Sequence, residues 1–195
     1  MMTATDRRER ERARRHRLII TAARELAEAE GWEAVTTRRL AERVEYSQPV
    51  LYGHFANKDA IRDAVALEGF GELGEMMREA RLSAPASESI RATCGAYLEF
   101  AAMHPAVYQA MFILPTETKF ASAETPAPLR AAFGELVGSF GPDNERNAAL
   151  AELIWGSLHG LAVLSTGGRM PPEAQGQRLD LLVALFSNAP TREGT

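Results

Sequence analysis

Gln48 and Arg38 carry side-chain ends that match a flat, two-point hydrogen-bonding edge. An amide presents a donor and an acceptor side by side, which suits N6 and N7 of adenine, and a guanidinium forks onto O6 and N7 of guanine. Pro49 follows Gln48 and offers an apolar face of the kind that packs on a thymine methyl. Tyr52, His54 and Lys58 come next and bring hydroxyl, imidazole and ammonium donors suited to phosphate oxygens, Lys58 at a helix start where the dipole also favours an anion. Taken alone, Arg38, Tyr52 and His54 read more readily as solvated surface. Together they need a scaffold that turns them all one way.

The neighbouring pattern supplies one. Leu18, Ala22, Leu26 and Ala29 recur at helical spacing, Ile19 and Ala23 widen the stripe, and Gly31 is a stop, which predicts a first helix from Leu18. Thr36 can cap a short second helix whose apolar face is Leu40, Ala41 and Val44, and the chain turns at Glu45 and Tyr46. Ser47 then opens a third helix, its hydroxyl placed to accept from the Val50 N–H because Pro49 has none to offer. Leu51 and Phe55, four apart, face the first two helices, so Gln48, Pro49, Tyr52 and His54 remain outside. Asn57 caps a fourth helix from Lys58, with Ile61, Val65 and Phe70 or Leu73 inward. Gly69, Gly71 and Gly74 weaken its second half, each by about 1 kcal/mol relative to Ala.

A tight corner between the second and third of three helices is the geometry of a helix-turn-helix, in which the third helix enters the major groove. From about Arg14 to Val65 the spacing resembles the DNA-binding domain of the tetracycline-repressor (TetR) family. The matching residues are Thr36, Thr37, Arg38, Leu40 and Ala41, then Gln48, Pro49, Leu51, Tyr52 and His54, then Asn57 and Lys58. The resemblance implies that Arg38, Gln48 and Pro49 read bases and that Thr37, Tyr52, His54 and Lys58 contact the backbone. Thr36, Ser47 and Val50 complete the expected DNA surface. Two positions depart from the family pattern. Glu45 stands where the family has glycine, and a left-handed conformation there would cost about 1–2 kcal/mol, which predicts a distorted turn. Gly53 replaces a bulky aromatic and thins the middle of the recognition helix.

The charge distribution agrees with an anionic partner at one end. Residues 1–62 carry 13 Arg and Lys against 10 Asp and Glu, while residues 63–195 carry 9 against 16, all within a net charge of −4. The densest part is Arg7, Arg8, Arg10, Arg12, Arg14, Arg15 and Arg17, a stretch that reads either as a solvated tail or as an arm touching DNA backbone or minor groove. With 46% hydrophobic residues the composition is that of an ordinary globular protein. No uninterrupted apolar run of about 18 residues and no leader-like segment is present, so no membrane partner and a cytoplasmic location are expected. Cys94 is the single cysteine, which excludes an intramolecular disulfide and reads as a small buried residue.

Beyond the fourth helix the pattern stays helical. A break near 83–86 precedes a run over 87–103, Pro105 forces a new start, and residues 115–128 hold three prolines and are expected to be irregular. Further helices are expected near 128–140, 145–166 and 172–188, with fraying of the last six residues. The fold class is therefore all-α, with a DNA-binding domain over 1–62 and a helical regulatory domain over 63–195.

Tyr97 to Phe112 and the segment WGSLHG at 155–160 are similar to the WHG class of regulatory domains in the same family. Tyr97, Phe100, Met103, Tyr108, Met111, Phe112, Trp155 and His159 could line a ligand cavity or form core. Lining would suit an apolar or aromatic small molecule with His159 as the polar handle. Leu150, Ile154, Leu158, Leu161, Leu182, Leu185 and Phe186 are expected to meet a second copy in a four-helix interface, placing two recognition helices on successive major grooves of a palindrome. His16, His54, His104 and His159 lack chelating spacing, so no metal and no cofactor are expected. The reading is a ligand-responsive regulator binding duplex DNA as a homodimer, a repressor more than an activator. Its rival is a helical enzyme or carrier with Cys94 and His159 as the one conceivable dyad, which lacks any nucleophile–base–orienter spacing.

Overall fold

Arginine, glutamate and alanine lose little side-chain freedom in a helix, and they dominate the residues ahead of Leu18. In the computed structural model, which describes residues 4–187, this stretch is the first half of one helix, α1 (Ala4–Glu30). The tail or arm expected ahead of a helix from Leu18 is thus a helical extension. Glu11 and Arg15 pair across one of its turns at 3.1 Å, a bond worth only about 0.3–0.5 kcal/mol at the surface. The later turns carry the apolar stripe, with Ile19, Ala23 and Leu26 buried. Gly31, at φ 82°, ends the helix in a conformation that favours glycine, and one 3-10 turn follows at Trp32–Ala34.

α2 (Thr37–Val44) starts on Thr36, whose hydroxyl accepts from the Arg39 N–H at 3.3 Å. It ends at Glu45, which adopts φ 57° and ψ 36°. The Tyr46 N–H donates to the Ala41 carbonyl at 3.0 Å, the six-to-one bond that closes a regular helix end. The expected distortion does not occur: a non-glycine residue takes up the left-handed conformation and the corner keeps its shape.

α3 (Gln48–Tyr52) begins through backbone alone. The Ser47 carbonyl accepts the Val50 N–H at 3.0 Å, and the Ser47 hydroxyl makes no capping bond, contrary to the role expected of it. In so short a turn the carbonyl reaches the N–H first. α4 (Lys58–Ser83) starts as expected, with the Asn57 side chain accepting from the Ala60 N–H at 2.8 Å, and it runs unbroken past its three glycines. A Cβ on Gly69 would lie 2.5 Å from Val107 Cγ1, and one on Gly74 would lie 3.3 Å from Ala132 Cα. These two glycines permit close approach, while Gly71 faces open space.

The helices that follow are α5 (Ser89–Met103), α6 (Pro105–Phe112), α7 (Ala127–Ser139), α8 (Glu145–Thr166) and α9 (Gln175–Ser187). All regular structure among the described residues is helical. The chain falls into two compact units, and they are not its sequential parts. The first comprises residues up to 69 together with 104–125, and the second comprises 70–103 together with those from 126 on. These units do not coincide with the segments 1–62 and 63–195, since the first unit extends to Gly69 in α4 and takes in α6.

Three side-chain bonds fasten α6 to its unit. The Glu28 carboxylate of α1 accepts from the N–H groups of Ala106 at 3.1 Å and Val107 at 3.0 Å, satisfying donors orphaned at the start of α6. The buried Trp32 indole N–H donates to the Ala106 carbonyl at 2.7 Å. The irregular segment beyond is tied to α4, where the Thr116 hydroxyl donates to Asp63 at 2.9 Å and the Arg62 guanidinium donates to the Pro115 carbonyl.

In the second unit α5 packs against α7, α8 and α9, and Arg81 of α4 pairs with Glu135 of α7 at 2.7 Å. The inward side of α8 is Ala151, Ile154, Leu158 and Ala162. Ile154 and Leu158, expected against a second copy, are 0% exposed and lie inside their own unit, because they fall on the stripe that faces α5 and α7. The outward apolar residues are Leu153, Leu181 and Leu185, at 64%, 60% and 73% exposure. Leu150, Leu161, Leu182 and Phe186 are half-buried. By length and composition α8 is apolar enough to cross a bilayer, with mean hydropathy 1.4 over 18 residues of which 22% are buried, a feature hidden by counting only uninterrupted apolar runs. The expected fraying of the last six residues lies outside the described residues.

Candidate nucleic-acid interface

Two buried side chains orient α3. Leu51 is 1% exposed and Phe55 6%, and the His16 ring of α1 stacks on Phe55 with centroids 4.4 Å apart and planes 18° from parallel. α2 is fixed to α1 by ion pairs at its rim. Arg39 forks onto both oxygens of Glu30 at 2.7 and 2.9 Å, and Arg43 reaches Glu25 at 2.8 Å. Neighbouring helical residues point about 100° apart, so Arg39 is turned to the scaffold while Arg38 is turned away. Arg38 pairs with Glu42 on its own helix at 3.3 Å, with its side chain 78% exposed.

The face thus presented contains most of the expected DNA set. Thr36, Arg38, Ser47, Gln48, Pro49 and Tyr52 are exposed, while Thr37, Val50, His54 and Lys58 are half-buried. Gln48 and Pro49 open α3, and Tyr52 closes it. Lys58 has a structural task as well, since its ammonium donates to the Trp32 carbonyl at 2.7 Å. Two of its three N–H groups remain for another acceptor. His54 stands 6.1 Å from the His16 ring. Burial holds its imidazole below the ordinary range, reinforced by the charges of His16, Arg12 and Arg15.

Beside this face Arg7, Arg8, Arg12 and Arg15 of α1 and the Gly53–His54 turn line an open concavity of about 550 Å³. The Arg15 guanidinium also lies 5.7 Å from the Tyr46 ring centroid, within reach of a cation–π contact. The positions that escaped the sequence reading are Glu28, Trp32, Arg39 and Arg43. Each is an ordinary residue of an amphipathic helix or turn until its distant partner is seen. For Arg39 the signal was available, because its spacing from Arg38 already separates the two directions.

The candidate ligand set divides between the units. Tyr97 and Phe100 of α5, at 1% and 0% exposure, are sealed in the second unit, and Met103 at its end is 55% exposed. Trp155 and His159 of α8 are half-buried in that unit, Trp155 with its ring 6.3 Å from Phe133 in an edge-on arrangement. Burial lowers the His159 pKa. Tyr108 and Met111 of α6 are buried in the first unit and Phe112 is half-buried there, the two rings 4.8 Å apart. Cys94 is buried and its thiol is pushed up to about 12 by burial, so it is no nucleophile near neutral pH. No group of three or more metal-ligating side chains occurs among the described residues.

Comparison with known proteins bears on both units. The model of bacterial regulatory proteins of the tetR family matches residues 19–65, and that of the tetracyclin repressor-like C-terminal domain matches residues 90–186. An uncharacterized HTH-type transcriptional regulator of Mycobacterium tuberculosis is 27% identical over 157 residues, covering 78% of this chain and 70% of the relative. The class C tetracycline repressor protein of Escherichia coli is 54% identical over 48 residues, which is 25% of this chain and 22% of that repressor. Among solved structures, BioQ with its double-stranded DNA operator has a TM-score of 0.63 at 22% identity, covering 88% of this chain and 97% of BioQ.

Proposed function

The chain belongs to the tetracycline-repressor family of DNA-binding transcriptional regulators, and from that premise we propose that it is a repressor released from a palindromic operator by a small apolar or aromatic molecule. The observation that carries the reading is the outward face of α3, where Gln48, Pro49 and Tyr52 are exposed because Leu51 and Phe55 are buried. Arg38 extends that face from α2. These two helices offer the chemistry that major-groove recognition needs, with Arg38, Gln48 and Pro49 on bases and Thr37, Tyr52, His54 and Lys58 on phosphates. The name of the class C relative, a tetracycline repressor similar over 48 residues, supports the repressor reading.

The dimer is part of the proposal. Leu153, Leu181 and Leu185 leave an apolar surface on α8 and α9, and less than a quarter of the most apolar stretch of α8 is buried within the chain. A second copy covers such a surface with the same surface, which is the logic of a two-fold interface. Leu150, Leu161, Leu182 and Phe186 flank it. The effector binds in the regulatory domain, with His159 as its polar partner, and favours a state in which the spacing of the two recognition helices no longer fits the operator. A change at α6 reaches α1 through Glu28 and Trp32. The protein works in the cytoplasm, where its operator is.

Selection of bound duplexes from a random pool tests the reading. The expected result is a palindrome whose half-site centres lie about 10–10.5 base pairs apart, or a multiple of that. Recovery of no enriched duplex would remove sequence-specific binding from the proposal, and enrichment of a single half-site would remove the two-fold assembly.

A further inference from the structure

Three arginines of α1 take no part in holding the fold. Arg7, Arg8 and Arg12 are exposed and make no ion pair among the described residues. Arg8, Arg12 and Arg15 stand at i, i+4 and i+7 and so share one side of the helix. That side shares the open concavity with the Gly53–His54 turn, which directly follows Tyr52 at the end of α3. Its lining sets four guanidiniums against a single carboxylate, Glu11, and that carboxylate is already paired with Arg15. Gly53 contributes backbone and no side chain to this wall.

The chemistry of the lining is selective. Guanidinium forks match phosphate oxygens in pairs, and the lining supplies four of them. An open trough suits a chain of phosphates passing through it better than an enclosed small anion. From Arg8 to Arg15 the helix extends about 10 Å, roughly three steps along one DNA strand.

We infer that this concavity is a phosphate site for the DNA backbone flanking the half-site read by α3, so that the helical extension of α1 lengthens the contacted duplex. The inference rests on the DNA-binding reading above and deepens it, turning the open alternative of a backbone-touching arm into a defined site shared by α1 and the Gly53–His54 turn.

The test uses the full-length protein and two duplexes built on a selected operator. One ends at the outer edges of the half-sites, and the other is extended by about six base pairs on each side, twice the roughly three steps spanned by the arginines. Affinity is measured over a salt series for the wild type and for Arg8→Ala/Arg12→Ala, with helix content checked by circular dichroism. The wild type should bind the extended duplex roughly tenfold more tightly, with a slope of log K against log salt steeper by about 0.9 for each phosphate held. The variant should bind both duplexes alike and match the wild type on the short one. Charge reversal in Arg8→Glu/Arg12→Glu should depress binding to the extended duplex further. Equal wild-type affinity for the two duplexes overturns the inference and leaves recognition by α3 intact. A variant that also loses the short duplex overturns it as well, by placing these arginines on the half-site. A wild type that binds no selected duplex overturns both readings.

Discussion

The residues expected to meet a ligand are arranged in opposite ways on α3 and on the interior side of α5. On α2 and α3 the polar ends point out, and burial of Leu51 and Phe55 is what sends them there. On α5 the aromatic side chains point in, and Tyr97 and Phe100 are as buried as any residue of the core. A reading surface can be built on a few anchors because its ligand arrives from solvent. A binding cavity has to be kept open inside a packed interior, and interiors resist voids. The contrast says that substitutions on the first face should act on DNA binding and leave folding alone, whereas substitutions at Tyr97 or Phe100 should act on folding first.

The largest expected effect tests the sealed side. Phe100→Ala should lower unfolding stability by about 3–5 kcal/mol in denaturant titration, the cost of emptying a buried aromatic site. A loss under about 1 kcal/mol would mean that Phe100 borders open space, and the contrast between the units would collapse. Next comes the open face. Gln48→Ala should weaken binding to the best operator by about 1–3 kcal/mol and relax the preference at one position per half-site, while stability stays within about 0.5 kcal/mol of wild type. Unchanged base preference would remove Gln48 as a reader.

The smallest effect sharpens the comparison at the edge of the DNA face. The His54 imidazole is held low, first by burial and then by the charges of neighbouring Arg12 and Arg15, which favours its neutral form at neutral pH. As pH falls below about 6.5 the unfolded chain takes up this proton before the folded one, and the free protein loses some stability. A phosphate beside His54 pulls the other way. DNA affinity should therefore rise modestly as pH is lowered through the region below 6.5, with proton uptake on binding, and His54→Gln should remove that dependence. Titration calorimetry in buffers of different ionisation enthalpy would show the proton uptake, and its absence in the wild type would detach His54 from phosphate.

The exposed face of α3 was legible in the sequence because its evidence is local. Gln48, Pro49, Leu51, Tyr52 and His54 lie within two turns of chain, and helical spacing alone separates Leu51 from its exposed neighbours. The corner was legible in position, although Glu45 adopted the left-handed conformation without the expected distortion. Where partners lie far apart in sequence, prediction failed. Glu28 meets Ala106 and Val107, and Lys58 meets Trp32, through pairings that no periodicity announces. Ile154 and Leu153 show the same limit on one helix: both are apolar and adjacent, and only the packing of α5 and α7 decides that the first is core and the second surface. Gly69 and Gly74 read in the sequence only as residues that weaken α4, and the close approach of Val107 and Ala132 that they permit is announced by no spacing.

The seat of α6 on α1 constrains how this regulator could be recombined. A chimera that takes only residues 1–62 and joins them to a foreign effector module would strand the Glu28 carboxylate and the Trp32 indole without their acceptor and donors. An exchange that carries 104–125 along with the first 69 residues keeps those groups matched. Engineers, and gene fusions in nature, would have to treat the headpiece as a discontinuous cassette.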